Sequence, residues 1–427
     1  MALRLRELGL LLLVAATFAL GWAAEALALA GKLSADWFRT PLYFSLLLLA
    51  VDLVLTAFRF RGDESLLPMV GILAAVGLLV LNYLEPAQQR AQFGWLALGL
   101  ALMLAVIFGL RDVSVLHRYK YTAAALGLGM LIVTALFGRE VNGARLWLGF
   151  GPLQFQPSEL MKLLLVVFMA AYLEERREIL ARADYRWTTL KLSPWPYLVP
   201  LFVLWGLSLL LLLWQKDLGA TVLMLGIALA MMYVATGRKT FVGAGVLLLA
   251  VNVLVTYKLF GYVHQRIDVW LHPWELASGP SYQIIQALYA VANGGASGTG
   301  LGRGHPGLIP FASTDFVFAA MAEQIGFAGT LAVLAIYLTL VLKSLHIGLS
   351  QPAAFSQLLG VGCAMVLGLQ CLVIVAGNLA LIPLTGITLP FISYGGSSLV
   401  VNFLLLGLLL RLSASGGGSG IRTHGGL

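Results

Sequence analysis

Charged residues are scarce in this chain. Of its 427 residues, 11% are Asp, Glu, Lys or Arg, whereas 60% are hydrophobic. Soluble globular domains carry about 25% charged residues, so this deficit excludes that class. Cysteine is scarce too, with two in the sequence. Cys363 and Cys371 fall in one predicted helix, about 12 Å apart along its axis, which is too far for a disulfide bond.

Long apolar runs occur along the whole chain. Each is long enough to cross roughly 30 Å of hydrocarbon as a helix. Their apolarity is continuous rather than alternating, which excludes a transmembrane β-barrel. We therefore predict an all-α polytopic membrane protein with about twelve transmembrane helices. The predicted spans are 7–30, 40–60, 66–84, 92–110, 120–137, 157–175, 194–213, 217–236, 239–260, 315–342, 355–380 and 391–412.

Basic residues are unevenly divided between the two sides that these spans define. With a cytoplasmic N-terminus, 17 of the 27 Lys and Arg residues lie inside and 10 outside. Because cytoplasmic loops are enriched in Lys and Arg, both termini are predicted in the cytoplasm. The net charge of +8 then reflects topology and contact with anionic membrane lipid, and no nucleic-acid partner is predicted. The first apolar segment follows two arginines, as in a signal peptide, but its length favours a retained helix.

One segment between two spans, residues 261–313, is too polar to cross a membrane and is predicted on the outer side. Binding and catalytic residues concentrate on such loops, so we expect functional chemistry there. His264, Asp268 and His272 have helical i, i+4, i+8 spacing, which suits either metal ligands or a wet helix face. No Cys or further close ligand joins them, so no metal site is predicted.

Polar residues also mark the start of the span at 157–175. Pro157 is typical of a first helical position. Ser158 and Glu159 follow in the first turn, where negative charge is favoured. Glu159 and Lys162 are three residues apart, so they share a helix face and can pair. The pair fits either a capped, neutralised helix or a charged site beside a cavity, and the cost of ionisable groups in a membrane favours the cavity.

Other span ends carry similar signals. Asp217 is a good N-cap residue, and Thr314 or Asp315 can cap the helix after the long loop. Pro383 and Pro390 break the last two spans. Broken helices are tolerated in membranes only where protein or water satisfies the freed backbone groups.

Eight short motifs together resemble the SEDS family of RodA, FtsW and SpoVE. In family order, they are Gly143-Ala144-Arg145-x-Trp147, Gln156-Pro157-Ser158-Glu159-x-x-Lys162, Asp217-Leu218-Gly219, Trp270-x-x-Pro273-Trp274, Tyr282-Gln283-x-x-Gln286, Gly300-Leu301-Gly302, Thr314-Asp315-Phe316-x-Phe318-Ala319 and Ser393-Tyr394-Gly395-Gly396-Ser397-Ser398. The usual family core has ten spans. We therefore predict extra N-terminal helices at 1–62, a SEDS-like core at 63–412 and a flexible tail at 413–427.

The resemblance implies a peptidoglycan glycosyltransferase. Such an enzyme polymerises lipid II, the undecaprenyl-diphosphate-linked disaccharide-pentapeptide, at the outer face of the bacterial plasma membrane during elongation or division. A class B penicillin-binding protein is the implied partner. The diphosphate requires cations, for which Arg145 and Lys162 are candidates. Mg²⁺ is plausible with the diphosphate, although no carboxylate cage is evident. Further predicted substrate-binding residues are Gln156, Ser158, Glu159, Asp315, Ser397 and Ser398.

The sequence departs from the family at its catalytic carboxylate. Typical members carry an Asp three residues after the loop proline, where this chain has Leu276. Because leucine cannot accept a proton, Glu275 and Asp268 are the predicted replacement bases for the attacking hydroxyl. Two alternatives stay open. One is a non-catalytic homologue that acts as a scaffold or regulator, and the other is a flippase of polyprenyl-linked precursors, which broken helices would suit.

Overall fold

The computed structural model describes residues 4–141, 143–150, 153–182 and 195–416. Their dominant feature is a set of long helices. The α-helices are α1 (Leu5–Ala30), α2 (Arg39–Ala57), α3 (Leu66–Leu84), α4 (Pro86–Gly109), α5 (Val115–Arg118), α6 (Lys120–Phe137), α7 (Pro157–Arg182), α8 (Trp195–Trp214), α9 (Leu218–Thr236), α10 (Lys239–Leu259), α11 (Gly261–Leu271), α12 (Tyr282–Gly294), α13 (Val317–Leu349), α14 (Ala354–Asn378) and α15 (Gly396–Gly416).

Ten helices in the described part of the chain are long and apolar enough to cross a membrane. This confirms the predicted class, a polytopic helical membrane protein, while the count of twelve spans stays a prediction. The other two predicted spans coincide with α7 and α8. α7 is less apolar because Glu159 and Lys162 lie in its first turns and residues 174–177 are all charged.

A small antiparallel sheet precedes α7 and was not predicted. Its strands are β1 (Arg139–Val141), β2 (Ala144–Phe150) and β3 (Leu153–Phe155), in the order β1-β2-β3. Glu140 pairs with Arg145 across the first two strands. Gly143 has φ 77°, the left-handed conformation that tight hairpin turns require. β1 and β3 have three residues each, which is too few for an alternating pattern, and β2 is mostly apolar rather than alternating.

The long polar loop contains two shorter helices, α11 and α12. α12 buries Ile284 and Ile285 and packs against α13. The predicted cap of α13 by Thr314 or Asp315 is wrong, because that helix begins later, after Phe316, which has no side-chain cap. Instead, the Asn378 side-chain oxygen accepts the Ala319 N–H at 3.2 Å. A residue distant in sequence thus satisfies a donor in the first turn.

Residues 381–395, between α14 and α15, are not helical, as the two prolines predicted. Side chains from other helices donate hydrogen bonds to backbone carbonyls of this segment. Arg266 Nη1 donates to the Leu384 carbonyl at 3.0 Å, and Gln92 Nε2 donates to the Ser393 carbonyl at 2.9 Å. The Tyr337 hydroxyl donates to the Pro390 carbonyl. Three carbonyls of this irregular backbone are therefore paired with protein groups, which is the condition for such backbone within a membrane protein.

A glycine allows α9 to begin against this irregular segment. A Cβ atom on Gly219 would lie 2.4 Å from Ile387 Cγ2 and 2.6 Å from the Thr385 carbonyl oxygen. α7 packs between α6, α9 and α14, so its first turn lies near both α9 and the 381–395 segment. Elsewhere, α1 and α2 pack together and α1 also contacts α3, while α4 runs along α15. Residues 417–427 of the predicted tail lie outside the described residues.

Candidate functional site

A small polar cavity of about 20 Å³ lies where the N-terminal ends of α7 and α9 meet the 381–395 segment. Four of the predicted substrate-binding residues line it, together with six others. The lining consists of Gln156, Ser158, Glu159, Lys162, Asp217, Ala220, Leu223, Gly386, Ile387 and Thr388. The motif from Gln156 to Lys162, which begins α7, therefore lines this cavity.

The predicted pairing of Glu159 with Lys162 is confirmed. Lys162 Nζ lies 2.6 Å from Glu159 Oε2, and the lysine side chain is 2% exposed. Lys162 Nζ also donates to Gln370 Oε1 at 2.9 Å. A buried ammonium held by one carboxylate and one amide has a defined position, and it supplies the cation that a phosphate ligand requires.

Gln370 belongs to the site although the motifs did not include it. Its Nε2 donates to the Thr388 carbonyl at 2.8 Å. The Thr388 hydroxyl donates to Ser398 Oγ at 2.7 Å. The predicted residue Ser398 therefore lies behind the cavity wall. A lone glutamine within the apolar stretch of α14 was the signal available in the sequence.

The start of α15 is fixed to the start of α7 in the same region. The Gln156 backbone N–H donates to Ser397 Oγ at 2.9 Å. The Gln156 side chain donates to Ser158 Oγ at 3.1 Å. Ser397, which was predicted to bind substrate, therefore joins the start of α15 to the start of α7 beside the cavity.

Asp217 caps α9, as predicted, and also lines the cavity. Its Oδ1 accepts the Ala220 N–H at 2.9 Å, and its Oδ2 accepts the Ser158 hydroxyl at 3.0 Å. Burial raises the pKa of this carboxyl, which lies just before α9, while the two hydrogen bonds oppose the rise. Asp217 therefore caps α9 and lines the cavity at the same time.

Asp315 lies behind the cavity, just before α13. Its Oδ2 would be 3.6 Å from a Cβ atom on Gly386, which lines the cavity and has φ 71°. Removal from water raises the pKa of Asp315 from 3.8 to about 6, and Thr314 and Arg266 oppose the rise. Arg266 was not predicted, and it links α11 to the 381–395 segment through the Leu384 carbonyl.

Arg145 is not brought into the cavity. It lies on β2 with its side chain 53% exposed, and its Nε is 3.4 Å from Glu140 Oε2. Lys216 is a second cation at this hairpin, because its Nζ is 3.7 Å from where a Cβ atom on Gly143 would lie. Arg145 on β2 and Lys216 just before α9 are therefore both near the turn at Gly143, and only Arg145 was predicted.

The two predicted bases lie outside the cavity lining. Asp268 is on α11, with its Oδ2 2.9 Å from His264 Nε2. Glu275 follows α11 in the loop, with a 77% exposed side chain and a distance of 3.8 Å to His272 Nδ1. Leu276 is partly buried in that loop. The catalytic assignment of both carboxylates stays a prediction.

The described residues, 4–141, 143–150, 153–182 and 195–416, contain no cluster of three His, Cys, Asp or Glu side chains arranged to hold a metal ion. Both carboxylates that line the cavity already have protein partners, Lys162 for Glu159 and Ser158 for Asp217. Mg²⁺ that arrives with a diphosphate stays a proposal.

A bundle of helices long and apolar enough to cross a membrane, with a buried lysine–carboxylate pair at one end, defines a polytopic membrane protein. The family of cell cycle proteins FtsW, RodA and SpoVE matches residues 44–416, and this chain belongs to it. The match begins inside α2.

Individual relatives agree with the family match. The peptidoglycan glycosyltransferase RodA of Mycobacterium tuberculosis is 36% identical over 377 residues, covering 85% of this chain and 80% of that protein. A chain of a solved peptidoglycan synthase complex that coordinates polymerization and crosslinking superposes with a TM-score of 0.68 at 30% identity, covering 83% of this chain and 98% of that one. The rod shape determining protein RodA of Thermus thermophilus superposes with a TM-score of 0.60 at 28% identity, covering 83% and 97%.

Proposed function

We propose that this protein is a peptidoglycan glycosyltransferase that polymerises lipid II into glycan strands at the outer face of the bacterial plasma membrane, for elongation or division. The observation that carries the proposal is the buried Lys162, held beside Glu159 and Gln370 in a cavity between helices. A cation fixed there suits the diphosphate of a lipid-linked sugar. The relative from Mycobacterium tuberculosis, which is named for this activity, supports the same function.

In the proposed reaction, the acceptor hydroxyl attacks the donor sugar while a carboxylate takes its proton. The bond from the sugar to the diphosphate breaks, and undecaprenyl diphosphate leaves. Lys162 would stabilise the charge that develops on the leaving group. Arg145 on the hairpin and Lys216 just before α9 would attract the anionic substrate before it reaches Lys162. Mg²⁺, if it accompanies the diphosphate, would share this neutralisation.

The base for this reaction is proposed to come from the α11–α12 region, as Glu275 or Asp268. The loop carrying Glu275 connects these two helices, and its partial exposure leaves it room to approach the cavity mouth. Arg266, on the same helix as Asp268, already reaches the 381–395 segment that lines the cavity. A carboxylate from this region would replace the Asp that typical family members carry at the position of Leu276.

The proposed setting is a multi-pass protein with both termini in the cytoplasm and a class B penicillin-binding protein as its partner. The superposition on a chain of a peptidoglycan synthase complex supports such a partner. Under this orientation, the cavity faces the outer side, where lipid II is polymerised. The cytoplasmic termini can be tested by cysteine labelling from each side of intact cells.

The test is polymerisation of purified lipid II by the full chain together with its partner, followed on gels. Glu275→Gln and Asp268→Asn are made singly and together, with Glu178→Gln, an exposed carboxylate on α7, as the matched control. We expect one single variant or the double variant to lose at least 100-fold in rate, as is usual when a general base is removed. Normal rates in the double variant would refute these bases while leaving the polymerase proposal intact.

A non-catalytic role as a scaffold or regulator is the second candidate. Leu276 and the location of Glu275 and Asp268 outside the cavity lining favour it. Unimpaired partner binding with no glycan product from the wild-type chain would establish this role and refute the polymerase. Transfer of labelled lipid II across vesicle membranes without glycan synthesis would instead indicate a flippase.

A further inference from the structure

A second cleft, with a volume of about 350 Å³, lies at the ends of α4 and α15 that are opposite the candidate site. Four arginines line it: Arg59, Arg61, Arg111 and Arg411. Arg411 follows Ser397 on α15 by fourteen residues, which is about 21 Å along a helix. The four residues, named here the arginine cleft, come from the ends of three different helices. The cleft is therefore a separate site from the polar cavity.

The arginine cleft has little compensating negative charge. None of its four guanidinium groups forms an ion pair within the described residues. Arg411 donates to the Arg111 carbonyl, and its buried Nε has no partner. The carboxylate whose pKa Arg411 helps to lower is Asp112, which is exposed and accepts hydrogen bonds from the Ser114 backbone and hydroxyl. An anionic ligand would supply the missing counter-charge.

Aromatic side chains form the other wall of the arginine cleft. The Phe58 and Phe108 rings lie 4.8 Å apart between centroids, and the Phe60 and Phe108 rings 6.3 Å apart. Phe58 is 70% exposed, whereas Phe60 is buried. Arg59 has φ 53°, a left-handed conformation that is uncommon outside glycine and that recurs at ligand-binding turns.

We propose that the arginine cleft binds the phosphate headgroup of an anionic phospholipid from the cytoplasmic leaflet, with its acyl chains along Phe58 and Phe108. Guanidinium groups match phosphate oxygens in two-pronged hydrogen bonds. The predicted topology puts this end of the bundle at the cytoplasmic membrane surface, where anionic lipids are enriched. The guanidinium groups suit the phosphate of such a lipid, and the adjacent aromatic rings suit its acyl chains. Glycosyl transfer plays no part in this proposal.

The bias of basic residues toward the cytoplasm would by itself put arginines at this end of the bundle. It requires neither that four of them converge on one cleft nor that an aromatic wall faces them. Exposed arginines on the same predicted side, but away from the cleft, provide the comparison. Arg6, Arg118 and Arg177 are three such residues.

The test is lipid binding to the purified full-length protein after exchange into a nonionic detergent. Dioleoyl phosphatidylglycerol is titrated in, and the lipid bound per protein is counted by native mass spectrometry. The test variant combines Arg59→Gln, Arg61→Gln and Arg111→Gln. The control combines Arg6→Gln, Arg118→Gln and Arg177→Gln, which removes the same charge. Circular dichroism and elution volume verify that both variants remain folded.

We expect one phosphatidylglycerol to bind tightly to the wild type and the control. It should bind about 100-fold more weakly to the cleft variant, because each of the three arginines removed contributes roughly fivefold near a membrane surface. If lipid binding weakened equally in both variants, diffuse surface charge would explain it, and the proposal of a specific site would be refuted. Phosphatidylcholine binding as tightly would also overturn it. Displacement of the lipid by millimolar inorganic phosphate would show a site for free phosphate instead.

Discussion

Replacement of Lys162 by methionine would leave the Glu159 carboxylate without its ion-pair partner inside the protein. The two side chains are 2% and 9% exposed, and their charged atoms are 2.6 Å apart. Methionine has a similar length and no charge, so the change removes the electrostatic interaction with little change in packing volume. The Glu159→Gln, Lys162→Met double variant removes both charges together.

The magnitude follows from the distance. Two unit charges 2.6 Å apart attract by about 6 kcal/mol at an effective dielectric constant of 20. Desolvation of both ions offsets much of this attraction, so the single replacement is expected to cost about 3–5 kcal/mol in the free energy of unfolding. The double variant leaves no unpaired charge and is expected to cost under about 2 kcal/mol. The coupling energy between the two positions should then exceed about 2 kcal/mol.

Equilibrium unfolding in mixed micelles of a mild and a denaturing detergent measures the coupling. The matched control is the Arg145–Glu140 pair, whose side chains are 53% and 55% exposed. The same cycle there should give a coupling of about 1 kcal/mol or less. If Lys162→Met were as stable as the double variant, the pair would be solvated in the folded state, and the electrostatic reasoning would be refuted.

Three further predictions follow from the site. Asp315→Asn should flatten the pH profile of polymerisation, because the wild type loses its carboxylate charge as the pH falls through about 6; an unchanged profile would contradict this. Gly219→Ala should lower the free energy of unfolding by about 1–3 kcal/mol, because the added methyl group collides with Ile387. The control Gly129→Ala has open space around it and should cost less. Equal costs would contradict the close approach at Gly219. Gln370→Leu should cost about 1–3 kcal/mol by leaving Lys162 without its amide acceptor, and an unchanged unfolding midpoint would contradict it.

The sequence predicts the local parts of this site well. Pro157, the Glu159–Lys162 pair and the Asp217 cap each depend on residues within four positions of one another, where helix geometry fixes what can meet. The class of fold is predictable for the same reason. Continuous apolar runs of sufficient length admit few structures in a membrane.

Contacts between distant segments could not be predicted in this way. Asn378 replaces the expected cap of α13 from 59 residues away. Gln370 meets Lys162 across 208 residues of sequence. Neither partner is encoded by a local spacing, because the contact depends on how helices pack. The sequence does not predict the β1–β2 hairpin because β1 has only three residues and β2 shows no apolar–polar alternation.

The non-helical 381–395 segment has a consequence for the order in which this protein assembles. Its carbonyls are paired by Arg266, Gln92 and Tyr337, which belong to three different helices. Membrane helices satisfy their own backbone and can insert one at a time, but this segment cannot be satisfied until those helices have met. We therefore expect it to become ordered last, so that a chain can be fully inserted in the membrane before its cavity has formed. Amide exchange during refolding should protect residues 381–395 only after α4, α11 and α13.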